Sequence, residues 1–261
     1  MRSPRFTLRV LAIAVWLQFK LLRLEGIIFT VVVPPVLYTI VLVLVVQHAG
    51  RTDLAAYAVL GPAVLGAWGV AVGTSGHVVT EDRWNGTLEL VLIAPGGGWL
   101  VFFGRVLATS VVSLIAIAET IAVARLMGMS LDIRDPGLFA VAVAATVVSV
   151  AAAGLITAAT YVLARETRLF TNVLAFPLIM LSGAAFPIAL LPEPGQWLSE
   201  IISLKWGAQL LRAAVGAEEP NVAVALVMMG VLTAAYVIIG RAVFSVVERR
   251  VRYTGTLSSY D

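Results

Sequence analysis

Residues 137–164 read GLFAVAVAATVVSVAAAGLITAATYVLA, 28 positions without one charged side chain. At 1.5 Å per residue a helix of that length covers about 42 Å, more than the ~30 Å of a bilayer's hydrocarbon core. Working outward, five more apolar runs stand at 27–47, 54–79, 100–127, 169–187 and 221–247. All are continuous and rich in Leu, Val and Ala, whereas the strands of a membrane barrel alternate over about ten residues. The expectation is an all-α polytopic membrane protein, one domain over 1–261 with six transmembrane helices.

Composition agrees. The chain is 60% hydrophobic and 13% charged, with a mean hydropathy of +0.98, more apolar surface than a soluble core can hide. There is no cysteine, which excludes disulfides and thiolate sites. Six spans put both termini on one side. Thirteen of the 18 Lys and Arg residues fall on that side and five (Arg51, Arg125, Arg134, Lys205, Arg212) on the other, so the positive-inside rule makes the termini cytoplasmic. The net charge of +3 follows from that asymmetry. Nucleic acid is a poor partner, because the basic residues flank spans without interleaved aromatics.

The N-terminal residues 1–25 carry Arg2, Arg5, Arg9, Lys20 and Arg23 within an arc of about 60° at 100° per residue, with Trp16 inside it. Apolar side chains fill much of the remainder, the pattern of an amphipathic helix lying in the cytoplasmic interface and ended by Gly26. In the first span Pro34 and Pro35 are expected to kink the helix. In the second, Gly69 and Gly73 form a small-xxx-small pair that lets another helix approach.

Between spans two and three lies the polar insert Glu81-Asp82-Arg83-Trp84-Asn85-Gly86-Thr87-Leu88-Glu89-Leu90. It must lie outside the hydrocarbon, where another protein can read it. With the turn at Pro95, Gly96, Gly97 and Gly98 it makes a cytoplasmic segment, 80–98: a short helix followed by a hinge. The segment 187–220 is too polar to span, yet carries Trp197, Ile201, Trp206 and Leu210, and reads as one or two short interfacial helices on the outer face.

Catalytic constellations are missing. Lys20 and Lys205 are the only lysines and neither follows a glycine, so no P-loop exists. His48 and His77 fall toward opposite faces, which precludes a paired-histidine metal site. Ser110, Ser113, Ser149 and Ser182 lack a histidine base at their depth and read as packing residues. Glu119 is the one carboxylate deep in a span, a place where acids are costly and often functional. It is a candidate for the translocation path, and the coupling acid if the chain is instead a secondary transporter driven by an ion gradient.

Together these features resemble the type-2 ABC transporter permeases, the membrane subunits of bacterial drug, lipid and polysaccharide exporters of the daunorubicin-resistance type. Two stretches carry the resemblance. One is Glu81, then Gly86-Thr87-Leu88-Glu89, Pro95 and Gly104-Arg105. The other is Leu181-Ser182-Gly183, Phe186-Pro187, Pro192 and Leu211-Arg212, with Lys205-Trp206 standing where many members have a proline. The resemblance implies a non-catalytic subunit in a bacterial cytoplasmic membrane that exports a hydrophobic or amphipathic molecule. It implies separate P-loop ATP-binding subunits, two per complex, which hold the ATP and Mg, and a second membrane subunit that is a copy or a paralogue. The ATPase would dock on Glu81, Asp82, Arg83, Gly86, Thr87, Leu88 and Glu89, with Gly86 allowing close approach.

Overall fold

A computed structural model describes residues 4–21, 31–92, 94, 97–163 and 177–254. Every regular element among them is helical, and none is a strand. In chain order these are α1 (Pro4–Leu21), α2 (Val33–His48), α3 (Ala55–Trp84), α4 (Leu88–Leu92), α5 (Gly98–Val112), α6 (Leu114–Leu126), α7 (Pro136–Leu163), α8 (Glu193–Glu200), α9 (Ser203–Ala214) and α10 (Val222–Thr254).

Four helices are long and apolar enough to cross a membrane: Ala55–Trp84, Gly98–Leu126, Pro136–Val162 and Val222–Arg249. The six-span expectation is not met among the described residues. The first run gives the shorter apolar helix Val33–His48, about 24 Å long. Most of the run at 169–187, like Gly26 and Arg23, lies outside the described residues.

Two local features shape these helices. Pro34 and Pro35 occupy the first turn of α2, where a missing N–H is harmless, directly after Val31 and Val32 in π-helical conformation. Pro35 then packs where Gly66 of α3 leaves room; a Cβ on Gly66 would stand 2.5 Å from the proline ring. The third run breaks at Ser113 into α5 and α6. There Thr109 and Ser110 donate to Val106 O and Ser113 to Ser110 O, the back-bonding that bends helices.

Helices α3 and α7 are central, packing against α5, α9 and each other, with α10 on α7, α2 on α3 and α1 along α5. At one end of the bundle lies the 85–97 connection, the insert end. At the other lie the connections 49–54, 127–135 and 215–221. The segment 187–220 holds the two helices α8 and α9, and α9 is buried along nearly its whole length, unlike the interfacial helix expected. Tyr236 donates to Ile201 O at 3.0 Å, and Tyr236 is about 21 Å along α10 from its start. Ala214 O meets Asp135 N beside the start of α7. Thus α9 climbs from the middle of the bundle to its end. Its buried Lys205 pairs with Glu200, whose carbonyl accepts from Trp206 Nε1.

Candidate functional site

The insert end is assembled from the last turn of α3. Gly86 has φ +67, a left-handed conformation open to glycine at little cost. Gly86 N donates to Arg83 O and Thr87 N to Asp82 O, the paired bonds of a Schellman stop. Glu81, Asp82, Arg83 and Trp84 therefore belong to α3, and the separate helix of the insert is only Leu88–Leu92. Gly86 is exposed, with nothing within 4 Å of a Cβ placed on it.

Seven residues were expected to form one docking surface; the fold separates them. Glu81 and Gly86 face outward. Asp82 is 6% exposed and turned inward, where its Oδ2 stands 2.6 Å from Nη1 of the equally buried Arg105. Arg105 Nε donates to Gln18 of α1 at 2.8 Å. Arg83 reaches across to the Tyr161 and Val162 carbonyls of α7. Thr87 donates to Asp82 O through both its backbone N and its hydroxyl. Leu88 is buried, and Glu89 is half-buried.

Leu88 and Leu92, one turn apart, enter a core with Val78, Val79, Phe102, Leu155, Val162, Phe244 and Val247. Phe102 and Phe244 stack there with centroids 5.3 Å apart. Four long helices thus meet beneath a five-residue one. Glu248 of α10 accepts from Gly98 N at 2.7 Å, fastening the start of α5.

The outward face of the insert includes two residues that sequence reasoning quoted but did not select, Trp84 at 81% and Leu90 at 64% exposed. A signal for Leu90 existed: with Leu88 and Leu92 facing in, a residue midway between them on a helix faces out. Gln18 and Glu248 left no comparable signal, being 87 and 150 positions from their partners.

Above the insert, the face of α3 that carries Gly69 and Gly73 is open. Among the described residues nothing lies within 4 Å of a Cβ at either. With Thr74, His77, Thr80 and Tyr161 they line a cavity of about 180 Å³. Gly69, Gly73, His77, Glu81 and Trp84 are all exposed, and on helical spacing they follow one face of α3 from the cavity to the turn. Glu119 is not in that lining. It is half-buried on α6, and its buried Oε1 has no hydrogen-bond partner among the described residues. Among the described residues no group of three or more potential metal ligands occurs. Ser110, Ser113 and Ser182 bond to carbonyls of their own segments, while Ser149 Oγ finds no partner.

On α1, Arg5, Arg9, Trp16 and Lys20 are exposed, with Lys20 Nζ 4.0 Å above the Trp16 ring. No curated protein matches the chain. A family model described as ABC-2 type transporter matches residues 9–215.

Proposed function

The chain belongs to the ABC-2 type transporter family, and from that premise we propose that it is the membrane subunit of an ATP-driven exporter of hydrophobic or amphipathic molecules. Family membership and the apolar helices make it a multi-pass membrane protein, of a family whose members are permease subunits that work with ABC ATP-binding subunits. In the proposed complex two such ATPases, holding ATP and Mg, serve two membrane subunits, the second a copy or a paralogue. The insert end faces the cytoplasm, as the thirteen-to-five distribution of basic residues supports, and the host membrane is a bacterial cytoplasmic membrane.

The observation that carries this reading is the division of labour in the insert. Glu81, Trp84, Gly86 and Leu90 are exposed for a partner, while Leu88 and Leu92 are sunk among α3, α5, α7 and α10. A load applied to the exposed side has a packed path to four helices, because close-packed interiors transmit strain. Glu81 and Glu89 supply charge for recognition. The cargo path is the open face of α3 with its 180 Å³ cavity, in place of Glu119. An ion-coupled transporter working through Glu119 has no observation in its favour.

The test is Gly86→Trp. Only glycine is at ease at φ +67, so the variant distorts the turn and adds bulk on the docking side. Transport and co-purification of the ATPase are expected to fall at least tenfold, with the chain still inserted and folded; unchanged transport would count decisively against the reading. Reversing Glu89 to Lys is expected to weaken ATPase association by about fivefold at low salt and less at high salt, measured by pull-down across ionic strength.

A further inference from the structure

Helix α1 shows two opposite faces to two environments. Ala14 and Gln18, its buried side chains, lie on one side. Arg5, Arg9, Trp16 and Lys20 fall within an arc of about 60° whose centre is about 170° away. The buried face is tightly seated: a Cβ on Gly104 of α5 would stand 2.8 Å from the Ala14 Cβ. The opposite face is basic, carries an indole, and is flanked by Leu8 at 67% and Ile13 at 63% exposed. Cations bordered by apolar side chains match an anionic leaflet, whose headgroups take the charges and whose acyl region takes Leu8 and Ile13.

The buried face leads directly to the turn. Gln18 Oε1 accepts from Arg105 Nε at 2.8 Å, Arg105 Nη1 donates to Asp82 Oδ2 at 2.6 Å, and Asp82 O accepts from Thr87 N at 2.9 Å. The remaining guanidinium nitrogen, Arg105 Nη2, is buried without a partner among the described residues. Losing Gln18 would leave Nε unpaired as well, a costly state at a buried site.

We propose that α1 is a receptor for anionic phospholipid headgroups, and that its occupancy is relayed through Gln18, Arg105 and Asp82 to the turn at 85–87, setting how firmly α4 is held. The inference rests on the exporter reading only in naming α4 the coupling element; the relay itself belongs to this chain.

The experiment follows hydrogen exchange of the 85–92 peptide, by mass spectrometry, on the full-length chain in nanodiscs of phosphatidylcholine with or without phosphatidylglycerol. Exchange in the wild type slows about fivefold with the anionic lipid, the factor one lysine or arginine gains at such a surface. In Gln18→Leu that slowing is lost, while Trp16 fluorescence is still quenched by brominated phosphatidylglycerol. In the triple variant Arg5→Gln, Arg9→Gln, Lys20→Gln, confined to exposed side chains, both responses go. Peptides from α7 report whether each variant is folded. A wild-type chain indifferent to the anionic lipid overturns the proposal, as does a Gln18→Leu chain that responds like wild type. Absence of Trp16 quenching in the wild type overturns it too, and points to a protein on that face. Co-purification of an ATPase is scored separately, so failure of the exporter reading leaves this result standing or falling by itself.

Discussion

Each end of α3 is fastened by an arginine–carboxylate pair, and the two are built differently. At the insert end the side chains of Arg105 and Asp82 are 3% and 9% exposed, joined by a 2.6 Å contact, with Gln18 as the one further ligand among the described residues. At the opposite end Arg212 is equally buried, but its partner Glu218 is 24% exposed. There Glu218 Oε1 accepts from both Arg212 Nε and Tyr57 OH, Arg212 Nη1 donates to Gly183 O, and the guanidinium lies 4.3 Å from the Tyr57 ring. The Arg212 cluster spreads its charge over several partners and a partly exposed carboxylate. The Arg105 pair is dry and thinly supported. Removing one member of a dry pair strands the other charge, whereas a wet, shared cluster can rearrange. The insert end, where the proposed ATPase would dock, is thus also the end most sensitive to a single lost group.

Asp82→Ala has the largest expected effect. It leaves Arg105 buried without its counter-ion, at a cost of about 3–5 kcal/mol, read as a lowered melting transition in detergent. Adding Arg105→Leu should recover most of that loss; a double variant no better than the single would break the comparison at its root. Glu218→Gln keeps acceptors for Arg212 and Tyr57 but removes the charge, and should cost about 1–3 kcal/mol by the same assay. A loss equal to that of Asp82→Ala would erase the difference between the two ends. The smallest effect is expected at Arg51, whose 2.8 Å contact with Asp53 is exposed on both sides. The hydrogen bond from Arg51 holds the Asp53 carboxyl below its usual range. Whatever this pair contributes is therefore present above that range and fades as the pH falls. Arg51→Gln should leave the melting transition unchanged at neutral pH.

Part of the site was readable. A helix continued past residue 80 places Asp82 on the same face as Ser75, Val78 and Val79, all buried, so its inward turn follows from helical spacing once the helix end is known. Charge pulled the reading the other way: three ionised residues in a row look like a solvated surface, and one of them is the counter-ion of a buried arginine. Gly69 and Gly73 show the converse limit. Small residues permit helix packing, but whether a helix comes is a property of the assembled bundle.

By itself the sequence determined an all-helical membrane protein, the insert between its second and third apolar runs and the basic arc of α1. These depend on local physics: in hydrocarbon a backbone must satisfy its own hydrogen bonds, and helical periodicity shows which side chains share a face. Tertiary structure alone decided which insert residues are exposed, that α9 rises through the bundle, and that Gln18 meets Arg105 and Gly98 meets Glu248. Those contacts join positions with no periodic relation along the chain. They exist because packing four long helices against one another brings their ends together, and desolvation leaves each buried charge or N–H no alternative partner in water.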